Sequence, residues 1–343
     1  MQTGEAMSIE KTLVEILDRS RIEDSGKSIV STARKSIALK TQTANDGSQT
    51  PCIEMIDTTN QSVTTAFFSR FSWKQLWQRI LDYPLSGVER SKLSLPLVES
   101  ISKERIERIR NTSLEAKLRI VDSQLLLRGL IHPRRTSLPT SSFLESVSIG
   151  ASYHNVICHV QPFFHEEVFV GYFRIEHDQE DDDTPRIGFT VINSEVGAAK
   201  TVIDAFIALP KFGSTMIIRN IGRPAFLLGR HHKTEGSIIK DVTNAVDEIE
   251  KNRTNFCELV KKNNSIQLSS KDGTLARMVT RFGASRESMD ATQREFDSLT
   301  QQGIIQPTKL AMAIAISRIA ARKPVLTRYN LEGIAGQILQ LGV

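Results

Sequence analysis

Apolar positions recur along this chain with two different periods. Between residues 117 and 220 they alternate in short β-branched and aromatic runs, and beyond residue 234 they fall three and four apart, so strands give way to helices. Lys117 to Val121 and Gln124 to Ile131, joined by Asp122-Ser123, read as a hairpin. Ser141 to Val147 reads as a short helix. Strands follow near Asn155 to Val160, Val168 to Glu176, Arg186 to Ser194, Thr201 to Leu209 and Ser214 to Asn220. Their connections are too short for the crossovers that parallel strands require, which predicts an antiparallel meander. Thr234 and Ser237 then open a long helix reaching Lys262, with Ile238, Val242, Val246, Ile249, Phe256 and Leu259 along one side. Further helices are expected over Gly273 to Arg281, Glu287 to Gln301, Thr308 to Ala321 and Arg328 to Leu339, separated by Gly283, by Gly303 with Pro307, and by Pro324.

The first third is less regular. Ile9 to Leu17 is amphipathic, and the Ser/Thr/Gln/Asn-rich stretch from Thr41 to Thr65 shows little periodicity, so a mobile N-terminal arm is expected. Ser72 is placed to cap a helix whose stripe is Trp73, Leu76, Trp77, Ile80 and Leu81. That stripe reads as core, with a base-stacking or subunit-docking surface as the alternative. Lys103 to Ile109 is a charged helix. The fold class expected is α+β: a central antiparallel β-sheet with a long helix and a C-terminal helical subdomain, preceded by a flexible arm. The divisions are 1–65 for the arm, 66–265 for the core and 266–343 for the C-terminal helices.

Composition narrows the function classes. No apolar run approaches the roughly 20 residues of a membrane span, and Glu5, Glu10 and Lys11 leave no apolar stretch for a secretory signal, so a soluble, cytoplasmic protein is expected, with no membrane partner. Cys52, Cys158 and Cys257 are odd in number and far apart, which argues for reduced thiols. The net charge of +5 is mild, but its distribution is not even. No acid occurs between Asp204 and Glu235, where Lys211, Arg219, Arg223, Arg230, His231, His232 and Lys233 stand, nor from Ser123 to Leu144, where Arg128, His132, Arg134 and Arg135 stand. If adjacent in space, these two segments form one anion-binding track.

One segment stands apart from the strand pattern. Gly188 to Gly197 reads GFTVINSEVG: a strand with Ile187, Phe189 and Val191 on one side and Gly188, Thr190 and Ile192 on the other runs into Asn193, Ser194, Glu195 and Gly197. Glu195 thus lies where a sheet meets a turn. This motif resembles the phage/plasmid-like family labelled domain of unknown function 932. Leu127-Arg128-Gly129-Leu130 with Arg134-Arg135, and Arg230-His231-His232 before a long helix, are similar to that family's succession of segments over roughly residues 110 to 343. Pro133 and the lack of a tyrosine in the basic turn depart from the pattern. The resemblance implies relatives on mobile genetic elements and carries no activity with it.

Chemistry is otherwise sparse. Phosphate-loop and Rossmann glycine spacings are absent, and Ser194 lacks the small neighbours of a nucleophile elbow. His154, His159 and His165 have no conventional metal spacing, so neither a metal nor a cofactor is expected. The acidic run from Glu176 to Asp183 reads as a solvated hairpin loop that repels phosphate and therefore lies away from any basic track. What remains is Arg128, Arg134, Arg135, Arg219, Arg223, Arg230, His231 and Lys233 as phosphate ligands, with Phe163, Phe164, Phe169, Tyr172 and Phe173 as candidates for base stacking. The expected function is non-catalytic binding or annealing of single-stranded DNA in recombination or replication, with self-association into a ring or filament. The alternatives are a structural or host-modulating protein that self-assembles or binds an acidic partner, and an enzyme built on Asn193, Glu195 and His231.

Overall fold

The computed structural model describes residues 13–43, 49–77, 95–108, 111–132, 138–164, 167–177, 183–219, 226–227, 235–268 and 285–341. Helix α1 (Leu13–Ser25) leads into β1 (Lys27–Ala33), β2 (Ile37–Thr43), β3 (Gln49–Ile56) and β4 (Val63–Phe68). The described residues between Lys27 and Phe68 are therefore mostly strand, where the sequence suggests a mobile arm. The reason lies in alternation. Ile37 and Leu39, Ile53 and Met55, Ala66 and Phe68 are buried in pairs two residues apart, while Thr41, Gln42, Thr43, Gln49, Thr50, Thr64 and Thr65 elsewhere in these strands are exposed or half-exposed and lower the average hydropathy.

Helix α2 (Arg70–Gln75) is capped by Ser69, whose Oγ accepts from Ser72 N at 3.0 Å. The expected cap, Ser72, instead donates its hydroxyl to Leu127 O at 2.7 Å. Helix α3 (Leu95–Arg108) and the hairpin β5 (Ser113–Val121) and β6 (Gln124–Ile131) follow. Asp122 and Ser123 both have positive φ, 49° and 64°, as a two-residue turn matched to strand twist demands. Strand order in this first sheet is β1-β5-β6-β4-β3-β2, antiparallel except for a short parallel pairing of β4 with β6. β1 and β2 lie at opposite ends of that order, yet only Arg34–Ser36 separate them, and Thr58 N donates to Ser31 O at 2.8 Å. The sheet thus curls so that β1 approaches the end of β3, and Trp73, Leu76 and Trp77 pack with the apolar side chains of its strands. The tryptophan stripe is core; Ile80 and Leu81 lie outside the described residues.

Helix α4 (Thr140–Gly150) connects to the second sheet, formed by β7 (Val156–Phe164), β8 (Phe169–Ile175), β9 (Arg186–Asn193), β10 (Val202–Leu209) and β11 (Ser214–Ile218). Sequential neighbours pair antiparallel throughout, which is the expected meander, and β12 (Phe226–Leu227) pairs with the start of β10. The hairpin and the meander thus belong to two sheets instead of one. Both faces of the second sheet are buried. Phe173, Phe189, Val191 and Ile207 pack under the helices on one side, and Tyr172, Ile192 and Phe206 form a separate cluster on the other.

The long helix expected to reach Lys262 divides into α5 (Glu235–Lys251) and α6 (Arg253–Ser265). Asn252 breaks it: its Nδ2 donates to Glu248 O at 2.8 Å, competing with the helical ladder. Helices α7 (Arg286–Gln301), α8 (Lys309–Ala320) and α9 (Val325–Gln340) close the chain. The helix expected over Gly273 to Arg281 lies outside the described residues. Leu310 to Ile316 and Leu331 to Leu339 contribute to the core of the second sheet. Thr215 N donates to Ser317 Oγ at 2.6 Å and Ser317 Oγ to Thr215 O at 2.7 Å, so α8 occupies the outer edge of β11. A Cβ at Gly336 would lie 1.8 Å from Ile217 O, so only glycine lets α9 approach this strand.

Candidate functional site

The motif at the end of β9 is the junction of the molecule. Glu195, only 7% exposed, reaches three elements at once. Its Oε2 accepts from Arg128 Nη1 at 2.7 Å, and its Oε1 accepts from Lys27 Nζ at 2.7 Å, from Thr140 N at 2.9 Å and from Thr140 Oγ1 at 2.8 Å. Asp24 pairs with Lys27 and accepts from Ser141 N at 2.8 Å. Pro139, at the cap position of α4, offers no side-chain acceptor. Two carboxylates from elsewhere in the chain therefore supply the cap, at the end of the helix where negative charge is favoured. Burial alone would raise the Glu195 carboxyl, but Arg128 and Lys27 outweigh it and hold the group at about 2. It is ionised at neutral pH and a poor proton acceptor.

Arg128 reaches this carboxylate because of a defect in strand pairing. Lys117 pairs with Gly129 and Leu118 with Leu127, so Arg128 is the extra residue of a β-bulge, a device that re-aims a side chain. At 4% exposure, its guanidinium is committed to Glu195. This corrects the expectation that Arg128 holds phosphate. The rest of the motif is equally occupied. Asn193 Nδ2 donates to Leu138 O at 3.1 Å, Ser194 Oγ donates to Glu167 O at 2.7 Å and accepts from Ala198 N at 2.9 Å, and Gly197 adopts a φ of 75°. Val196 packs on Gly129, where a Cβ would lie 2.8 Å from Val196 Cβ. Asn193, Ser194, Glu195 and Gly197 thus bind the first sheet, the second sheet and α4 together.

Arg219 is likewise engaged. Its guanidinium lies 4.6 Å over the Tyr329 ring and 3.8 Å from Asp204 Oδ2, and it packs against Gly333 of α9. Tyr329 donates its hydroxyl to Asp204. A parallel set stands beside it: Tyr172 donates to Glu332 at 2.7 Å, Arg328 Nε donates to the other Glu332 oxygen at 2.8 Å, and the Arg328 guanidinium lies 5.2 Å over Tyr172. Burial raises the carboxyls of Asp204 and Glu332 against the pull of their arginines. Two Tyr–carboxylate–Arg sets thereby dock α9 on the second sheet. Helical spacing shows only the Arg328–Glu332 pair, four residues apart on α9; the other contacts form only through the fold.

His159 occupies a bulge of β7, between Cys158, which pairs with Phe173, and Val160, which pairs with Tyr172. It stacks on Phe206 at 5.0 Å and lies 3.1 Å from Thr215 Oγ1. Burial, helped by Arg328, Arg174 and Arg186, lowers it to about 4, so it is neutral. His154 lies 3.2 Å from Asp247 instead, and His165 lies outside the described residues. No group of three metal-ligating side chains occurs among the described residues. Of the aromatic candidates, Phe169, Tyr172 and Phe173 are buried, while Phe163 is exposed.

Arg134, Arg135, Arg223, Arg230, His231 and Lys233 lie outside the described residues, but the ends that hold their segments do not. Leu138, which follows the first segment, bonds Asn193 at the end of β9. Leu227, within the second, pairs with Val202, which in turn pairs with Ile192. Leu138 and Leu227 are therefore both held at the same end of the second sheet, where β9 ends and β10 begins. Glu176 and Asp183, which bound the acidic β8–β9 connection, leave the sheet from its opposite end. No helix of the described residues is long and apolar enough to cross a membrane. Neither a scan against protein-family models nor a search of curated proteins finds a match to this chain.

Proposed function

We propose that the chain is a non-catalytic, ATP-independent protein that binds single-stranded nucleic acid in the cytoplasm, serving recombination or replication of a phage or plasmid and assembling into a ring or filament. The observation that supports this reading is that Leu138 and Leu227, which stand in the two acid-free basic stretches of the sequence, are both held at one end of the second sheet. Arg134, Arg135, Arg223, Arg230, His231 and Lys233 are the phosphate ligands of this reading. Arg128 and Arg219 act instead as staples within the fold. The placement of the acid-rich connection at the far end removes the repulsion that would oppose a polyanion.

Photo-crosslinking of a single-stranded oligonucleotide to the whole chain, followed by peptide mapping, tests the reading. Crosslinks confined to peptides containing residues 132–138 and 220–234 are expected. Crosslinks spread over the acidic end of the sheet, or none at low salt, would overturn it.

A further inference from the structure

One row of paired residues crosses the second sheet from β7 to β12: Phe163, Val170, Ile192, Val202 and Leu227. Its three middle members are buried in a cluster shared with Tyr329 of α9. The two ends of the row differ from the middle. Leu227 belongs to the second acid-free basic stretch, and Phe163 is 36% exposed. Asn193, which follows Ile192, holds Leu138 of the first stretch. Phe163 therefore stands at the end of the sheet where Leu138 and Leu227 are held.

The surroundings of this ring suit a planar ligand. Arg328 lies 6.0 Å over Phe163 and is itself fixed, with Glu332 as its ion-pair partner and the Tyr172 ring 5.2 Å away. A ring already braced by its neighbours costs little to order when a base stacks on it. The next residue, Phe164, turns to the opposite face of the sheet, where it packs on Phe169 at 5.0 Å with Arg19 over it. Tyr153 is the other exposed aromatic side chain among the described Phe, Tyr and Trp residues, at 88%. It precedes β7 at the far end of the sheet, near the pairing of Asn155 with Glu176. Of these rings, Phe163 alone combines exposure with the end that holds Leu138 and Leu227.

We infer that Phe163 stacks an unpaired base and so selects single strands over duplex. The inference rests on the proposed function and adds the contact that function lacks. Phosphate ligands by themselves hold either form, whereas the bases of a duplex are already stacked on one another and offer this ring no free face.

Anisotropy on the full chain tests it with three labelled probes: oligothymidylate, an abasic oligonucleotide of equal length, and a duplex. Phe163→Ala is expected to weaken oligothymidylate binding by roughly fivefold or more, with the salt slope and the affinities for the abasic chain and the duplex unchanged. Phe163→Leu keeps apolar bulk against Arg328 and carries the same test if the alanine variant folds poorly. Phe163→Tyr and Tyr153→Ala should bind as the wild type does. Wild-type affinity in Phe163→Leu, an equal loss in Tyr153→Ala, or a wild type that binds the abasic chain as tightly as oligothymidylate would overturn the inference and leave phosphate binding standing. No binding of any probe by the wild type at low salt would overturn both.

Discussion

Glu195 is held by four donors from three elements, and its removal leaves Arg128 buried without a counter-charge. Glu195→Gln is therefore expected to lower stability by about 3 kcal/mol or more in urea unfolding, and Arg128→Met added to it to recover part of that loss. A wild-type midpoint in Glu195→Gln would refute the junction role. The same carboxylate predicts a pH effect. In the unfolded chain it takes up its proton near the ordinary value of 4.5, and in the fold only at about 2, so the native state loses stability as pH falls through that window. The full effect is about 3 kcal/mol. His159 acts in the window above. The unfolded chain protonates it near 6.5 and the fold at about 4, so stability also declines as pH falls between those values. His159→Gln should flatten the stability profile from pH 6.5 to 4 and leave the lower limb intact; Glu195→Gln should do the reverse.

At the scale of elements, close packing sets the tolerance of the junction. A side chain at Gly129 meets Val196 Cβ at 2.8 Å and Gln75 Oε1 at 3.1 Å, so Gly129→Ala is expected to cost about 1–3 kcal/mol, with Val196→Ala as partial rescue in a double-mutant cycle. The sequence makes some elements plain and hides others for identifiable reasons. The Asp122-Ser123 turn, the five meander strands and the helix expected over Thr308 to Ala321 are local signals, and each stands where the pattern predicts. β1 to β4 are hidden for another reason. Their threonines and glutamines imitate a disordered stretch, and although β2, β3 and β4 pair in succession, β1 pairs with β5 and β4 with β6 far along the chain. The bulge at Arg128 is also invisible to periodicity, since it exists only in the register between two strands. A buried arginine and an exposed one look alike in sequence, which is why Arg128 and Arg219 read as phosphate ligands and proved to be counter-ions and ring partners.

For the whole molecule, the Glu195 junction joins two sheets, and the anchors of both basic segments sit beside it. On the proposed function, binding and stability are separable: Arg128 and Arg219 are engaged within the fold, and Arg134, Arg135, Arg223 and Arg230 would carry the affinity. The most direct test is the salt dependence of single-stranded DNA binding, measured by anisotropy for the wild type, Arg134→Gln/Arg135→Gln and Arg223→Gln/Arg230→Gln. Each lost phosphate contact on a single strand reduces the slope of log affinity against log salt by about 0.7, so each double variant is expected to flatten it by about 1.4. Unfolding midpoints should remain unchanged. Single-strand affinity that is absent at low salt, or a slope that neither double variant alters, would contradict the account.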